Sequence, residues 1–281
     1  MLIESGTLYV VATPLGNLDD FSPRAVSTLR SVDLILAEDT RHSRKLLEHY
    51  AITTPMQSYH EHNEAERVDE IIARLVKGQS TALISDAGTP LINDPGYRLV
   101  QAAHKAGIPV IPVPGPAAIT AALSVAGLPT DRFIYEGFLP TKQAARLRRL
   151  GELSREERTM VFYESPHRLR ACLRDMIDCF GGERQAVIAK ELTKLHETVC
   201  KDSLLNLLAW LAEDDRRLKG EFVLIIAGCG LEDGVSQEEA ERVLQLLMKQ
   251  MPLKQAVAAA AEILGESKNR LYQLALGIKD G

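Results

Sequence analysis

The sequence predicts an α/β fold made of two α/β domains, the first with a mostly parallel sheet and the second with a mixed sheet, followed by a small C-terminal helical region. Two observations lead to this prediction. The first half of the chain alternates short apolar runs with helical patterns, which is typical of βαβ units and a parallel sheet. In the second half, some strand patterns are joined by connections too short for a crossover, which favours a mixed sheet.

In the first half, each strand pattern is paired with a helical one. Ser22-Pro23 combines a capping side chain with a proline at the first helical position and predicts a helix start. Asp94-Pro95 repeats the combination and predicts a helix that ends at Gly107. A helix is expected over 63–77, and an alanine-rich one is expected to end at Gly127. Strands are predicted over residues 7–12, 34–38, 81–85 and 109–113.

The second half carries four further strand patterns. The segments on either side of Lys194 are too close together for a parallel crossover. The boundary is placed near 127–131, which predicts domains over 1–127 and 128–230 and a C-terminal region over 231–281. Strands are predicted over 132–140, 159–165, 184–192 and 221–228, and helices over 142–153, 166–180 and 203–212.

The C-terminal region is expected to be helical throughout. Residues 230–236 have the composition of a linker, and the last two helical patterns meet at a tight turn over 265–267. This arrangement fits a helix-turn-helix and, equally, a plain packing appendage. The helices are predicted over 236–250, 252–264 and 267–277.

Composition and charge exclude several classes of protein. Of 281 residues, 46% are hydrophobic and 25% charged, as in folded globular chains. The four cysteines form no CxxC pair, which favours reduced thiols over a metal site. No apolar run approaches the roughly 18–20 residues of a membrane span and no signal-peptide pattern is present, so a cytoplasmic location is expected. The net charge of −5 argues against a generic nucleic-acid coat protein.

Basic residues are nevertheless concentrated in three short stretches of the second half. Any one of them is most simply a solvated helix face. Three in one segment favour a polyanionic partner that is contacted locally. The stretches lie at 142–149, 168–174 and 216–219.

Three turns rich in glycine and proline follow the first, third and fourth predicted strands, at 13–17, 85–90 and 114–118. Because ligands bind at the carboxyl ends of parallel strands, these turns are expected to share one ligand site. Small residues let backbone amides approach a ligand closely, and Asp86 adds one ionised acceptor. The sequence has no GxGxxG, GxxxxGK[ST], HExxH or GxSxG motif, which disfavours dinucleotide, P-loop and common hydrolase sites.

Eight strings along the chain closely resemble the ribosomal RNA small subunit methyltransferase I family, which belongs to the tetrapyrrole methylase-like class of S-adenosylmethionine enzymes. The resemblance extends from the first strand to the C-terminal helices. The strings are TPLGNL (13–18), AEDTRHSRKLL (37–47), SDAGTPLINDPGY (85–97), PVPGPAA (112–118), YEGFLP (135–140), FYESPHRL (162–169), KELTKLHE (190–197) and KGE (219–221).

This resemblance implies transfer of a methyl group from S-adenosyl-L-methionine to the 2′-hydroxyl of a cytidine in the decoding region of 16S rRNA. It implies a cofactor cleft between the two α/β domains, a homodimer, and 16S rRNA or the small ribosomal subunit as partner, with no membrane. Two alternatives stay open: a methyltransferase for a tetrapyrrole or other small molecule, and a non-catalytic RNA-binding or assembly factor. The basic stretches and the C-terminal helices have no evident purpose in the first of these.

The resemblance also implies which residues contact the cofactor. The family often carries Ser or Cys where this chain has Ala117, so a contact there must come from backbone or packing. The implied cofactor-binding residues are Leu15, Gly16, Ser85, Asp86, Ala87, Gly88, Thr89, Ala117, Ala118, Tyr163, Leu192 and Gly220.

Candidates for a catalytic base or for orienting the acceptor are Glu38, Asp39, Glu164 and His167. Helix capping competes with catalysis for Glu164 and His167, and no single general base is assigned. The His-rich segment HEHNE (60–64) fits no standard zinc spacing. Phosphate contacts are expected from a set of arginines, with lone surface arginines as the default alternative: Arg41, Arg146, Arg148, Arg149 and Arg168.

Overall fold

Five parallel strands form the first sheet, in the order β3-β2-β4-β1-β5. The computed structural model describes residues 3–230 and 237–280. The strands of this sheet are short and largely apolar on both faces, because helices cover both sides. They are β1 (Leu8–Val11), β2 (Leu34–Ala37), β3 (Met56–Ser58), β4 (Thr81–Ile84) and β5 (Val110–Val113).

Two helix pairs sandwich this sheet. On one face α1 (Pro23–Ser31) and α2 (Thr40–His49) bury Leu29 and Leu47 against the strands. On the other face α3 (Glu64–Val76) and α4 (Tyr97–Lys105) bury Leu75 and Leu99. A short 3-10 helix, Leu18–Asp20, precedes α1. The result is the three-layer arrangement that the alternation of strands and helices predicts.

The predicted helix starts differ in outcome. Ser22 caps α1 as expected, because its hydroxyl accepts a hydrogen bond from the Ala25 amide at 3.0 Å. The prediction for Asp94-Pro95 is wrong, since α4 begins two residues later, at Tyr97, after Gly96 with a φ of 136°. The segment that looked like a cap and a first turn is instead an irregular loop at the carboxyl edge of the sheet.

The second sheet is mixed, as predicted, and has the order β6-β7-β10-β8-β9. Only β6 and β7 pair in parallel, and the other neighbours are antiparallel. The tight connection around Lys194 joins β8 to β9 as a hairpin. The strands are β6 (Phe133–Phe138), β7 (Thr159–Glu164), β8 (Gln185–Lys190), β9 (Thr198–Ser203) and β10 (Phe222–Ile226).

Helices cover both faces of the second sheet as well. One face is covered by α6 (Gln143–Leu153), α7 (Leu169–Phe180) and α8 (Leu204–Glu213), and a 3-10 helix, Asp215–Leu218, follows. The other face packs against α5 (Ala118–Ala126), which follows β5 directly. Because α5 leaves the first sheet and packs on the second, it ties the two domains together. The domain bounds placed at 127–131 stay a prediction.

The C-terminal region forms a three-helix unit, α9 (Gln237–Met248), α10 (Leu253–Leu264) and α11 (Lys268–Asp280). These helices share a hydrophobic cluster built from their own side chains, including Leu244 and Leu271. Gly265, in the left-handed region with a φ of 66°, ends α10. Of the predicted linker over 230–236, residues 231–236 lie outside the described residues. In the part of the chain that the structure describes, no helix combines the length and apolarity required to cross a membrane.

Candidate functional site

The three glycine- and proline-rich turns meet at one edge of the first sheet, because β4, β1 and β5 are neighbours in it. Thr13 and Gly88 exchange backbone hydrogen bonds of 2.8 and 3.1 Å, which join the first turn to the second. The Thr89 hydroxyl donates to the carbonyl of Pro116 at 3.0 Å, which joins the second to the third. The predicted common rim is therefore present, and its turns brace one another.

A cavity of about 480 Å³ lies between this rim and the facing edge of the second sheet. Its volume is in the range of small-ligand and cofactor sites. The second sheet contributes the ends of β6, β7 and β8 and the start of β10. The lining residues are Leu15, Glu38, Asp86, Ala87, Gly88, Thr89, Ile92, Asn93, Asp94, Ala117, Ala118, Phe138, Tyr163, Glu164, Ser165, Pro166, Ala189, Leu192, Gly220, Glu221, Phe222 and Val223.

Most residues predicted to contact the cofactor line this cavity, and two do not. Ser85 is buried behind the rim, where its hydroxyl donates to the Gly88 carbonyl at 3.1 Å. Gly16 lies outside the lining, beneath the side chain of Lys194. The predicted residues that do line the cavity are Leu15, Asp86, Ala87, Gly88, Thr89, Ala117, Ala118, Tyr163, Leu192 and Gly220.

The four catalytic candidates separate into two pairs. Glu38 and Glu164 line the cavity, from the first and second sheets respectively. Asp39 instead caps α2, accepting a hydrogen bond from the Arg41 amide at 2.8 Å, and this bond lowers the pKa of its carboxyl. His167 is exposed and lies outside the lining. The structure therefore places Glu38 and Glu164 at the cavity, and Asp39 and His167 outside its lining.

An acidic residue that the sequence did not single out joins the site. Asp94, predicted as a helix cap, lines the cavity beside Glu38 and Asp86. Burial, then the nearby Glu38 carboxylate, raise the pKa of Asp94 to about 7, against a smaller opposing effect of the nearby Ser85 hydroxyl. Burial and the Asp86 charge likewise raise the pKa of Glu38. The one signal that could have indicated Asp94 is its position at the end of the long string over 85–97.

Glu164 presents a further acceptor from the opposite wall. It is 3% exposed, and its Oε1 accepts a hydrogen bond from the Ser165 amide at 2.8 Å. Its Oε2 lies 3.3 Å from an Arg168 guanidinium nitrogen but makes no hydrogen bond within the described chain. Arg168 is otherwise engaged with the carbonyls of Leu139 and Pro140, at 2.6 and 3.2 Å. Both carboxylate oxygens of Glu164 are therefore held from within the second domain, by the Ser165 amide and the Arg168 guanidinium.

The turn between β8 and β9 closes one side of the cavity. Lys194 Nζ donates to Glu191 and also pairs with Glu221, each at 3.0 Å. Burial opposes the charge of Lys194, yet these two carboxylates raise its pKa overall. The aliphatic stem of Lys194 packs directly on Gly16 of the first domain. A Cβ built on Gly16 would lie only 2.3 Å from Lys194 Cγ, so no side chain fits between them. This contact connects the second domain to the first beside the rim.

The predicted phosphate-binding arginines have unlike surroundings. Arg146 is 5% exposed and pairs with the buried Asp175 at 2.6 Å, so the expectation of a surface phosphate contact is corrected. Arg149 is held by Glu136 and Glu152, each at 2.8 Å, and Arg168 is tied to Glu164 and backbone carbonyls. Exposed side chains remain at Arg41 and Arg148.

The lining is acidic and aromatic and contains no lysine, arginine or histidine among the described residues. Tyr163 packs edge-on against Tyr135 and Phe138, with ring centroids 5.1 and 5.7 Å apart. No group of three or more metal-ligating side chains occurs in the described ranges. Such a cavity suits a ligand that is flat, rich in hydrogen-bond donors and positively charged in part.

Two family models match the chain. The model for Tetrapyrrole (Corrin/Porphyrin) Methylases matches residues 7–208, which include the whole first sheet and the strands β6 to β9 of the second. The model described as the RsmI C-terminal HTH domain matches residues 234–279, which include α9 to α11. Of the two interpretations left open for this region, the second match favours the helix-turn-helix.

Curated relatives are similar over nearly the full chain. A protein of Pseudomonas aeruginosa named Ribosomal RNA small subunit methyltransferase I is 55% identical over 98% of this chain and 98% of its own length. A protein of the same name from Xylella fastidiosa (strain Temecula1) is 52% identical, over 95% of this chain and 98% of its own.

Solved structures share the fold at lower identity. The methyltransferase CobJ superimposes with a TM-score of 0.59 at 18% identity, covering 80% of this chain and 95% of that one. Uroporphyrin-III C-methyl transferase from Thermus thermophilus, complexed with S-adenyl homocysteine, gives 0.54 at 16% identity, covering 79% and 97%. The near-complete likeness to the curated relatives identifies the family. The chain belongs to the ribosomal RNA small subunit methyltransferase I family, within the tetrapyrrole methylases.

Proposed function

We propose that this protein transfers the methyl group of S-adenosylmethionine to the 2′-hydroxyl of a cytidine in the decoding region of 16S rRNA. The observation that supports the proposal most directly is the cavity between the two sheets, whose lining among residues 3–230 and 237–280 presents carboxylates and no cationic side chain. We further propose a homodimer, which the resemblance implies, and a cytoplasmic location, where ribosomal RNA is found.

The residues of the cavity fit S-adenosylmethionine. Its sulfonium and α-ammonium groups are cations, and the acceptors around them would be the carboxyls of Glu38, Asp86 and Glu164. Gly88 has a φ of 88°, and a Cβ built on it would lie 3.1 Å from Leu15 Cδ2. The absence of a side chain at Gly88 therefore lets Leu15 pack closely against the rim. In the cofactor position, a ligand with a polyphosphate chain would instead be repelled by these carboxylates.

When bound, S-adenosylmethionine supplies an electrophilic methyl group, so the protein's contribution is positioning and exclusion of water. The three braced turns fix the first wall, and Lys194 holds the second domain against it. The tyrosine and phenylalanine rings make the opposite wall apolar. Alignment of the donor methyl with an incoming hydroxyl is the main task of such a site.

The acceptor nucleotide would enter at the open side of the cavity. Ile92 and Phe138 line it there and are both partly exposed, at 38% and 52%. An exposed aromatic ring beside a site is a stacking platform for an unpaired base, as single-stranded RNA requires. The exposed Arg41 and Arg148 are available for phosphates, so binding should weaken as salt rises. These contacts need only a local basic surface, which is compatible with the overall charge.

The experiment that tests the activity offers the full chain labelled S-adenosylmethionine together with two acceptors. Small-subunit particles lacking the modification are expected to gain about one methyl group each, and a nucleoside digest is expected to contain 2′-O-methylcytidine. A porphyrinoid acceptor should gain none. Label found in the porphyrinoid, or on a base rather than a ribose, would overturn the proposed substrate. Absence of cofactor binding in calorimetry would favour the assembly-factor alternative.

Asp86 provides a variant for the cofactor side of the proposal. Asp86→Ala is expected to weaken S-adenosylmethionine binding about tenfold or more, because it removes an acceptor worth roughly 1.5–3 kcal/mol to a charged partner. Asp86 Oδ1 also accepts from the Asp39 amide at 3.0 Å, so Asp86→Asn, which keeps an acceptor, serves as the structural control. Asp69→Ala on the exposed side of α3 is the surface control. Unchanged affinity in Asp86→Ala would contradict the role of this turn.

A further inference from the structure

We propose that Asp94 is the catalytic base that accepts the proton of the ribose hydroxyl, and that Glu38 is the positioning residue that keeps Asp94 basic. The inference rests on the proposed function and deepens it. It assigns the proton, which methyl transfer to a hydroxyl must release. The residues involved come from the loops after β2 and β4, at the same rim that carries the three turns.

The backbone of the loop over 91–96 is shaped to bring Asp94 to the cavity. Leu91 and Asn93 have φ values of 72° and 66°, and Gly96 has 136°. A leucine in the left-handed region is rare, and such backbone strain concentrates at functional sites. The helix that the sequence predicts here begins only at Tyr97, with Gly96 at its N-cap position. Asp94 therefore does not cap the helix and lines the cavity instead.

Contacts across the cleft hold this loop in place. The Tyr135 hydroxyl donates to Asn93 Oδ1. A Cβ built on Gly137 would lie 3.2 Å from Asn93 Nδ2, so this glycine lets β6 approach the loop closely. Tyr135 in turn packs against Tyr163, which lines the cavity. Asp94 is therefore fixed between the carboxyl edge of the first sheet and the aromatic wall of the second.

Burial and the groups that face Asp94 bring the pKa of its carboxyl close to neutral pH. Glu38 and Asp86 face it with like charge from the same rim, and the nearby Ser85 hydroxyl has the opposite, smaller effect of lowering its pKa. From the second sheet, Tyr135 and Tyr163 face it, and the pKa of each phenol is raised, first by burial. Burial and Glu38 together raise the pKa of Asp94 to about 7. A base is most effective when its pKa is close to the working pH.

Two other carboxyls of the cavity wall are committed to fixed hydrogen bonds. Asp86 accepts from the Asp39 amide at 3.0 Å, and Glu164 accepts from the Ser165 amide at 2.8 Å beside the Arg168 guanidinium. Asp94 lies beside Glu38 and Asp86 and, among the described residues, has no backbone hydrogen bond that contributes to its pKa.

In the proposed step, a lone pair of the 2′-hydroxyl oxygen forms the new bond to the methyl carbon. The bond between that carbon and sulfur breaks, and its electron pair stays on sulfur, which becomes a neutral thioether. The hydroxyl proton passes to the Asp94 carboxylate and is released to solvent after the product leaves. Atoms and charge balance without any further reactant.

The test is the pH dependence of single-turnover methylation of small-subunit particles. In the wild-type protein the rate is expected to rise with pH to a plateau, with a midpoint near the pKa of Asp94. Asp94→Asn is expected to lower the rate about 100-fold or more and to abolish this midpoint. Glu38→Gln is expected to move the midpoint to lower pH, because Asp94 ionises more readily once the neighbouring negative charge is gone.

Affinity for S-adenosylmethionine separates catalysis from binding. Asp94→Asn is expected to bind it within about threefold of wild type in calorimetry, and Asp94→Glu, which keeps a carboxyl, is expected to retain a pH midpoint at a reduced rate. Two results with Asp94→Asn would overturn the assignment: a wild-type rate, or a loss of S-adenosylmethionine affinity as large as the loss of rate. An unmoved pH midpoint in Glu38→Gln would overturn it as well. If the wild-type protein methylates no RNA, the proposed function itself has failed, which is a different result. If Asp94→Asn does not fold, the pH midpoints of Asp94→Glu and Glu38→Gln test the assignment in its place.

Discussion

Two arginines of helix α6, Arg146 and Arg148, have different roles because one is buried and the other exposed. Arg146 and Arg148 are two positions apart on α6 and therefore point to different sides of the helix. The guanidinium of Arg146 is buried against Asp175 and also donates to the carbonyls of Pro140 and Thr141, at 3.3 and 3.2 Å. Arg148 is exposed. The charge pattern predicts both as phosphate contacts, and only the second has the exposure that such a contact requires.

Arg146→Ala is expected to destabilise the protein by about 3–5 kcal/mol, because Asp175 would be left as a buried charge without its partner. Arg148→Ala is the matched control on the same helix, and its effect should stay within about 0.5 kcal/mol. Urea unfolding measures both. In RNA binding the order reverses: Arg148→Ala should lower affinity and flatten the salt dependence. Equal stability of the two variants would contradict the buried ion pair.

The raised pKa of Asp94 has a consequence for stability that is independent of activity. Because its pKa in the folded protein is about 7, against an ordinary value of 3.8, the folded state binds more protons than the unfolded state between these values. Stability is therefore lost as pH rises through this window and levels off above it. Asp94→Asn removes the effect, so its Tm advantage over wild type should be small near pH 4.5 and widest at pH 8. A constant difference across this range would argue against a buried, neutral Asp94.

At the scale of elements, the turn between β8 and β9 also makes a contact between the two domains. The turn between β8 and β9 carries Lys194, whose ammonium bridges Glu191 and Glu221 and whose stem covers Gly16 of the first domain. Burial raises the pKa of Glu191, but the Glu221 amide and the Lys194 ammonium outweigh it, so the net pKa is lowered. The hairpin thus holds the two walls of the cavity together through one side chain.

Lys194→Ala is expected to weaken S-adenosylmethionine binding about tenfold, since the bridging hydrogen bonds and the cover over Gly16 are lost together. Lys194→Met keeps most of the apolar stem and should lie between Ala and wild type. Leu195→Ala is the control in the same turn, because Leu195 is 93% exposed. Calorimetry gives all three affinities. A Leu195→Ala effect as large as that of Lys194→Ala would point to general loosening of the hairpin.

At the scale of the whole molecule, the C-terminal helices form a unit with its own apolar cluster. Removal of residues 231–281 is therefore expected to leave the two α/β domains folded, with S-adenosylmethionine affinity within about twofold of the full chain. Affinity for small-subunit particles should fall about tenfold, or about 1.4 kcal/mol, if this unit contacts RNA. Filter binding and calorimetry on the same preparation compare the two. A truncated chain that loses cofactor binding would show instead that α9 to α11 support the domains.

The amino-acid sequence by itself determined the order of most strands and helices, the three rim turns and the family. These are encoded in short stretches: apolar periodicity, the Ser22-Pro23 cap of α1, and small residues after β1, β4 and β5. Each such signal depends on neighbours a few positions away, which is why local patterns predict it. The strands β3 and β9 and the helix α2 have no predicted range, because β3 is only three residues long, β9 is an edge strand with largely exposed side chains, and α2 is strongly polar.

Only the tertiary structure decided which charged side chains face the cavity. Asp94 has the local pattern of a helix cap and Arg146 that of a surface cation, yet one lines the site and the other is buried. Their surroundings come from residues distant in the chain, such as Glu38 beside Asp94 and Asp175 beside Arg146. Burial and pairing set the protonation and reach of an ionisable group, and both arise only when remote segments are brought together.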